Sequence, residues 1–395
     1  MSNFVQKYIK GDQVMWGIIV FLSLVSLLTV YSATGSLAYK TQGGNTTYFM
    51  FKQLGFLLFG LFLIVVVHRI SYKYFVIFSL PLLYISIILL LITVLSGQNL
   101  NEASRWLTVP GIGLSFQPSE MAKLALVLYV SRVLAQHQKD EGPTEGAFWP
   151  IIIHTAIVCL LIFPENLSTS LLIGGIVMLM MFLGRVPFRY LLFTGLTGTA
   201  IVAIVLLLAM NDVVIVDRAD TWASRIENYL DEEKMVSEFG GDYQVTQSKI
   251  AIATGGIFGK GPGNSDQRNF LPHPYSDFIY AIIAEEFGFF GALLVLGAYF
   301  IFFTRIGVLV SSSNRTFPAF MVLGLGLTLI TQAFLNMGVS VGIFPVTGQP
   351  LPLVSMGGTS ILFTCLALGA ILSVSRHYQE ERERKNAKVR TSENE

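Results

Sequence analysis

The chain contains 395 residues, of which 53% are hydrophobic and only 13% are charged. A soluble protein has about 25% charged residues, so this composition excludes a water-soluble globular protein and indicates a polytopic membrane protein. The formal net charge of +1 also excludes a dedicated nucleic-acid-binding protein, because such a protein carries a strongly basic surface.

Ten apolar segments have the length of a helix that crosses a bilayer, which takes about 17–25 residues. The fifth and sixth segments are separated only by a hinge, Pro164-Glu165-Asn166. We therefore predict an all-α polytopic membrane protein with about ten transmembrane helices. In chain order, the predicted spans cover residues 14–33, 50–68, 72–96, 117–136, 147–164, 166–184, 187–210, 279–304, 316–341 and 357–375.

Lys and Arg residues in short loops mark the cytoplasmic side of a membrane protein. With a cytoplasmic N-terminus, the basic residues of the inner segments are Lys7, Lys10, Arg69, Lys73, Arg132, Lys139, Arg185, Arg189, Arg305 and Arg315. The outer short segments then contain only Lys40, Lys52 and Arg105, with Lys123 just inside a helix. This asymmetry predicts that both termini are cytoplasmic.

The predicted transmembrane domain covers residues 1–376, and a polar cytoplasmic tail that is solvated or disordered covers residues 377–395. A large extracytoplasmic loop, about residues 211–278, connects spans seven and eight and is too long for a plain linker. Within it, Tyr243–Thr254 has the pattern of an amphipathic helix that lies along the membrane surface. The glycine-rich stretch at residues 253–265 is either a flexible turn or a backbone that approaches a substrate closely.

Three carboxylates, Asp277, Glu285 and Glu286, lie at the beginning of the eighth span. An ionisable group close to hydrocarbon costs at least about 2.5 kcal/mol, so such residues usually persist for a function. In a continuous helix, Ala284 and Gly288 lie on the same face as Asp277 and suit close helix packing. The sequence thus predicts that Asp277 faces the outer water and that the two glutamates lie deeper.

Other polar groups are predicted on the same outer side of the membrane. Arg105 and Trp106 form either an interfacial anchor or a site for an anionic head group. Glu120 and Lys123 are spaced to pair on one helix face, either as a buried structural pair or at a substrate site. The proline-rich segment, residues 344–360, is predicted to be non-helical and to be buried in protein or to line a cavity.

These landmarks resemble the SEDS family (shape, elongation, division and sporulation) of polytopic peptidoglycan glycosyltransferases, over nearly the whole chain to about Arg376. The stretch from Gly263 to Arg268 is more similar to the division members of that family than to the elongation members. The matching motifs are Ala-Ser-Arg-Trp-Leu at 103–107, Gln-Pro-Ser-Glu-Met-Ala-Lys at 117–123, Gly-Pro-Gly-Asn-Ser at 261–265, and the motifs at 271–288 and 352–360.

The resemblance implies an enzyme that polymerises lipid II into glycan strands on the outer face of the bacterial cytoplasmic (inner) membrane, releasing undecaprenyl pyrophosphate. Its implied place is the division septum, and its implied partners are the lipid-linked glycan, a class B penicillin-binding protein and other division proteins. No nucleic acid is involved. The alternatives are a lipid II flippase or transporter, an elongation-type polymerase for cell shape, and a structural scaffold of the division complex. No sequence motif requires a cofactor. The candidate cofactor is a divalent cation, Mg or Mn.

The essential aspartate of the family matches Asp277, which we expect to act as the general base. The family usually has Gln-Pro-Asp-Leu-Gly-Thr at the hinge between spans five and six, whereas this chain has Glu165 and different neighbours. Glu165 therefore has either a catalytic or a structural role. The residues expected to bind substrate are Arg105, Trp106, Lys123, Glu120, Glu165, Ser355 and Gly357, and the expected supporting residues are Glu285, Glu286 and His273.

Overall fold

The structure is a computed structural model that describes residues 10–96, 107–108, 115–138, 144–209, 211, 221–222, 224–225 and 241–393. Arg105, Trp106 and most of the predicted charged stretch Asp217–Glu233 lie outside the described residues. The helices are α1 Gln13–Ala33, α2 Gly35–Gln42, α3 Thr46–Arg69, α4 Tyr72–Ser96, α5 Pro118–His137, α6 Phe148–Ile162, α7 Leu167–Leu183, α8 Phe188–Ala209, α9 Gly241–Gly255, α10 Ile279–Ser311, α11 Thr316–Ser340 and α12 Thr359–Glu393. A short antiparallel pair joins β1, Leu107–Thr108, to β2, Ser115–Phe116.

All ten predicted spans are helical, as α1, α3 to α8 and α10 to α12. Among the described residues, eight helices are long and apolar enough to cross a membrane, and α7 is a shorter apolar helix. The remaining predicted span, α5, is more polar because it contains Glu120, Lys123 and Arg132. The prediction of an all-α polytopic membrane protein is confirmed.

The buried centre of the bundle is formed by α5, α11 and α12. Helix α12 packs along α3, and α11 packs between α5 and α10, whereas α8 lies on the periphery with almost all of its side chains exposed. Polar residues of the central helices therefore face protein instead of lipid. The candidate site described below is built from them.

One residue, Asp12, ties three helices together at the cytoplasmic end. Its carboxylate accepts hydrogen bonds from the backbone N–H groups of Val14 and Met15 and so caps α1. The same carboxylate pairs with Arg305 of α10 at 2.5 Å, and its backbone N–H donates to Ser375 Oγ of α12 at 2.8 Å. Helix α12 then continues through residue 376 to Glu393, and its side chains at residues 382–387 are exposed. The tail is therefore a solvated helix, and the alternative of a disordered end is wrong.

Helix α10 is broken at Gly288, where φ is 68° and ψ is −166°. Its 33 residues would extend about 50 Å if straight, longer than a bilayer core of about 30 Å. The break leaves a segment at 289–311 that spans about 34 Å by itself, preceded by a short, buried helical segment at 279–287. Asp277 precedes this helical segment. The prediction that Gly288 shares one continuous helix face with Asp277 is therefore wrong.

The predicted amphipathic helix is present as α9, but it packs against α10 through a face of small residues. Ser248 and Ala251 are fully buried on this face, whereas Ile250 is 37% exposed. Ser248 donates a hydrogen bond to the carbonyl of Ser340 at 2.7 Å. The buried face of α9 therefore consists of small residues, which allow helices to approach closely.

Candidate active site

Asp277 lies in a turn, residues 273–278, that precedes α10. Its backbone N–H donates to the carbonyl of His273 at 3.2 Å, which holds the turn. Its carboxylate is half-buried and accepts a hydrogen bond from Ser276 Oγ at 2.6 Å. Within the described part of the chain, Ser276 is the one donor to this carboxylate. Asp277 is therefore placed so that an incoming hydroxyl group has access to a carboxylate oxygen.

The proline-rich segment packs against the Asp277 turn and is non-helical until Thr359, as predicted. Ser355 Oγ donates to the carbonyl of Ser276 at 2.5 Å and accepts a hydrogen bond from the backbone N–H of Leu351 at 2.8 Å. A Cβ built on Gly348, where φ is +66°, would lie 3.8 Å from Asp277 Oδ2. The predicted residue Ser355 thus contacts the Asp277 turn, and its observed role is to connect two backbone segments.

Two amide side chains on one face of α11 donate hydrogen bonds to the Asp277 turn and to the proline-rich segment. Asn336 Nδ2 donates to the carbonyl of Asp277 at 2.9 Å and to the carbonyl of Gln349 at 2.8 Å. One turn earlier on α11, Gln332 Nε2 donates to the carbonyl of Pro350 at 3.0 Å. Both amides are buried, so they supply hydrogen-bond donors to main-chain carbonyl groups that are buried or partly buried.

The predicted pair of Glu120 and Lys123 is present as a buried ion pair on α5, with an Nζ to Oε1 distance of 2.7 Å. Lys123 Nζ also lies 3.5 Å from Gln332 Oε1, so Gln332 links the pair to the proline-rich segment. Both charged side chains line a small cavity of about 30 Å³ between α5, α11 and α12. A role for Glu120 and Lys123 in substrate binding stays a prediction.

Glu165 lies in the hinge between α6 and α7, where Asn166 Oδ1 caps α7 by accepting from the N–H of Thr169 at 3.1 Å. Glu165 and Asn166 line a small cavity of about 20 Å³ together with Ser119, whose buried hydroxyl has no hydrogen-bond partner among the described residues. Thr169 Oγ1 accepts a hydrogen bond from Gln349 Nε2 at 2.8 Å. The hinge is thus connected to the Asp277 site through Thr169 and Gln349.

A short turn of the outer loop lies against the same hinge. Trp222 is buried, and its ring packs edge-on against Phe163 at 5.2 Å. Three residues later, Arg225 Nη1 donates to the carbonyl of Val346 at 3.2 Å. This part of the large loop therefore bridges the hinge and the proline-rich segment.

Glu285 and Glu286 are fully buried at the end of the first part of α10. Glu285 accepts hydrogen bonds from Lys260 Nζ at 2.7 Å, from Ser265 Oγ at 2.5 Å and from the backbone N–H groups of residues 266 and 267. Glu286 accepts a short hydrogen bond from Ser32 Oγ of α1. The predicted supporting role of these two residues agrees with this geometry, because they hold the loop at residues 256–270.

Charges in this loop shift one another's pKa values. The hydrogen bond to Glu285, followed by that to Asp266, raises the pKa of Lys260. The hydrogen bond from Lys260 lowers the pKa of the exposed Asp266 carboxyl. Near the Asp277 turn, burial and then the charge of Asp277 raise the pKa of Tyr275. Lys260 and Asp266 therefore remain charged over the physiological pH range.

The glycine-rich stretch at residues 253–265 contacts the end of the helical segment at residues 279–287, where α10 is broken. The backbone N–H of Lys260 donates to the carbonyl of Glu285 at 3.0 Å, and that of Gly261 donates to the carbonyl of Glu286 at 2.9 Å. A Cβ on Gly259 would lie 2.1 Å from the carbonyl oxygen of Glu286. The glycine-rich backbone therefore lies close to the end of a helical segment, where carbonyl groups need hydrogen-bond donors.

The remaining predicted residues have simpler surroundings. His273 is exposed, and its ring contacts Tyr275 edge-on at 6.2 Å. Gly357 accepts a hydrogen bond from the N–H of Ser360 at the start of α12. In the described ranges, no three His, Cys, Asp or Glu side chains cluster to hold a metal ion, so we derive no step through a divalent cation.

Sequence reasoning missed the amides Gln332, Asn336 and Gln349. Gln332 and Asn336 are four positions apart inside an otherwise apolar span, so they lie on one helix face. A polar pair at that spacing in a membrane helix is a signal for an interior polar site. The sequence does not indicate, however, that their partners are main-chain carbonyls of two distant segments.

Comparison with known proteins identifies the family. The family model described as cell cycle protein, which covers FtsW, RodA and SpoVE, matches residues 12–380. The chain belongs to this family. Relatives named probable peptidoglycan glycosyltransferase FtsW, from Trichlorobacter lovleyi and Halomonas elongata, are 31% and 32% identical to it. These alignments cover 92% and 96% of this chain and 93% and 94% of the relatives.

Solved structures of similar fold include a chain from work described as structural coordination of polymerization and crosslinking by a peptidoglycan synthase complex. That chain is 26% identical, with a TM-score of 0.71, and the match covers 93% of this chain and 98% of that one. The rod shape determining protein RodA of Thermus thermophilus, at 24% identity and a TM-score of 0.65, shares the fold over 93% of this chain and 97% of its own. This FtsW/RodA/SpoVE family member is thus a multi-pass membrane protein along nearly its whole length.

Proposed function

We propose that this protein is a peptidoglycan glycosyltransferase that polymerises lipid II on the outer face of the cytoplasmic membrane. The observation that carries the proposal is the placement of Asp277. Its carboxylate is half-buried, has one hydroxyl donor among the described residues, and lies in a turn held by Ser355 and Asn336. Membership of a family whose relatives are named peptidoglycan glycosyltransferases supports this reading.

The proposed mechanism uses Asp277 as the general base. The acceptor sugar hydroxyl binds within hydrogen-bond reach of the carboxylate, which takes the proton as the hydroxyl oxygen bonds to the anomeric carbon of the donor. The bond from that carbon to the lipid diphosphate breaks, and the diphosphate leaves with the bonding electrons. Asp277 then returns the proton to outer water, so the carboxylate is regenerated for the next addition.

The leaving diphosphate needs positive charge close to it. We assign this role to Arg105 and Lys123, which the sequence indicates, and to Arg225, which contacts the proline-rich segment two residues before Gly348. Gly348 is the residue whose Cβ would face Asp277. Arg225 is therefore close enough to the base to contact a substrate that Asp277 also contacts.

The proposed setting is septal wall synthesis with a class B penicillin-binding protein as the transpeptidase partner. The many relatives named FtsW favour division over elongation. The similar chain in a structure of a peptidoglycan synthase complex supports a partner that crosslinks the strands. Other division proteins would then bring the pair to the septum.

The test is polymerisation of labelled lipid II by the purified protein together with its transpeptidase partner. We expect glycan chains that a muramidase digests from the wild type, and none from Asp277→Asn. Asp266→Asn is the matched control, because Asp266 is an exposed carboxylate on the same side of the membrane. It should retain more than half of the activity.

Glycan synthesis by Asp277→Asn at a rate near that of the wild type would overturn the assignment of the base. If the wild-type complex makes no chains but moves labelled lipid II across vesicle membranes, the transporter alternative is correct instead. Unchanged thermal unfolding of Asp277→Asn in detergent would show that its loss of activity is chemical.

A further inference from the structure

One buried amide, Asn336, joins the two segments that form the candidate active site. Its nitrogen carries two N–H groups, and both are used: one donates to the carbonyl of Asp277 and the other to the carbonyl of Gln349. Asp277 belongs to the turn before α10, whereas Gln349 belongs to the proline-rich segment. No helix hydrogen bond connects these segments, so Asn336 joins them at Asp277 itself, beside the bonds from Ser355 Oγ to the Ser276 carbonyl and from the backbone N–H of Met356 to the Tyr275 carbonyl.

The geometry of a primary amide makes this connection specific. Its two N–H groups are fixed in one plane, so two carbonyl oxygens at 2.9 and 2.8 Å from one nitrogen have a defined separation. The carbonyl held on one side belongs to the same residue as the proposed base. Fixing that carbonyl limits where the Asp277 carboxylate can point.

Water reaches this amide poorly. Asn336 is only 1% exposed, so a side chain without N–H groups would leave the buried Gln349 carbonyl and the partly buried Asp277 carbonyl without this donor. The helix carrying Asn336 is itself anchored one turn earlier, where Gln332 donates to Pro350. The amide therefore projects from a rigid central helix toward two irregular segments.

We infer that Asn336 is a positioning residue that sets the place of the Asp277 carboxylate relative to the proline-rich segment. The inference rests on the proposed glycosyltransferase function, because the position of Asp277 matters only if Asp277 is the base. A displacement of about 1 Å from productive geometry costs on the order of 100-fold in rate. Loss of Asn336 should therefore lower kcat much more than it changes KM.

The first test compares Asn336→Leu with Ser340→Ala in the full-length protein with its transpeptidase partner. Leu has a similar volume but no donor. Ser340 lies one turn further along α11, and its buried hydroxyl donates only to the carbonyl of Asn336 within the same helix. We expect kcat for lipid II polymerisation to fall at least tenfold in Asn336→Leu with KM changed less than threefold, and both constants to stay within twofold in Ser340→Ala.

The second test uses Asn336→Asp, which retains the shape of the side chain. An ionised carboxylate has no donor, whereas a protonated one donates a single hydrogen bond. The activity of Asn336→Asp relative to the wild type should therefore rise as the pH falls. A merely space-filling role predicts a ratio that stays constant with pH.

Hydrogen exchange separates this inference from the proposed function, since it does not require turnover. Backbone amides of residues 277–279, Gln349 and Leu351 should exchange faster in Asn336→Leu than in Ser340→Ala, whether or not either protein makes glycan. Equal kcat losses in both variants, a kcat for Asn336→Leu within twofold of the wild type, or unchanged exchange would each overturn the positioning role. An inactive wild type with the expected exchange difference would instead count against the glycosyltransferase proposal.

Discussion

Acidic side chains at the two ends of the helical segment at residues 279–287 differ in burial and in the number of hydrogen-bond donors. At its start, the Asp277 carboxylate is half-buried and receives one hydroxyl donor among the described residues. At its end, Glu285 is fully buried and receives four donors, one of them a lysine. The difference suggests a general lesson: a carboxylate kept for chemistry retains open acceptor positions, whereas a carboxylate kept for structure has them filled.

The largest loss of stability should come from substitution of Gly259, because this glycine lets the loop approach the glutamate end of the helical segment. In Gly259→Ala the new Cβ would lie 2.1 Å from the Glu286 carbonyl, at a φ of +80°. We expect a loss of more than about 3 kcal/mol in stability, seen as poor yield and a lower Tm in detergent.

Gly263→Ala is the matched control, because Gly263 has a φ of +83° but no atom within 4 Å of a new Cβ. It should lose only about 1–2 kcal/mol from the backbone conformation. Equal losses at Gly259 and Gly263 would show that the close approach to Glu286 does not matter.

Glu285→Gln should have an intermediate effect, and on stability only. The neutral amide keeps the shape but weakens the bonds from Lys260 and the backbone donors, which costs about 1–3 kcal/mol. Thermal unfolding of the purified variant measures this loss, and polymerisation per folded molecule should remain within about twofold of the wild type. A variant with normal stability and no turnover would show that the glutamate takes part in the chemistry.

Asp266→Asn should have the smallest effect, confined to low pH. Because Lys260 lowers the pKa of Asp266 in the folded protein, this carboxylate stabilises the fold above its unfolded pKa of about 4. That contribution disappears as the pH falls through the lowered folded value. A plot of Tm against pH should therefore be flatter on its acid side in Asp266→Asn, and added salt should reduce the difference. An identical acid limb would contradict the contribution of this pair.

For Lys260 the sign is opposite, because its pKa is raised. Its contribution is present below its unfolded pKa of about 10.4 and is lost as the pH rises through the raised folded value. Stability near neutral pH should consequently be insensitive to the titration of either partner.

The sequence predicted the ten spans because each is a long apolar run, and it placed Asp277 at the outer end of one of them. It missed the break at Gly288, since a glycine in an apolar run fits either a helix interior or a positive φ. The break is accompanied by hydrogen bonds to residues 256–261, which belong to the preceding outer loop and not to this span. The polarity of the cytoplasmic tail predicts a solvated or disordered end, and the tail is a solvated continuation of α12.

The candidate site was predictable only in part for the same reason. Charged residues in apolar surroundings are conspicuous, so Asp277, Glu120 and Lys123 were found directly. Asn336 and Gln332 act through carbonyl groups of other segments, and a main-chain carbonyl has no signature in the sequence. The packing of α9 against α10 was not predicted, because small residues, and not large apolar ones, form the buried face of α9.

The most direct test of the division between a chemical and a structural carboxylate measures turnover and thermal unfolding together for Asp277→Asn and Glu285→Gln. Both variants replace a carboxylate with an amide at opposite ends of the same helical segment. We expect Asp277→Asn to unfold within about 2 °C of the wild type and to make no glycan chains. Glu285→Gln should unfold at a lower temperature and still polymerise lipid II. Chain synthesis by Asp277→Asn, or an inactive Glu285→Gln of normal stability, would contradict the account.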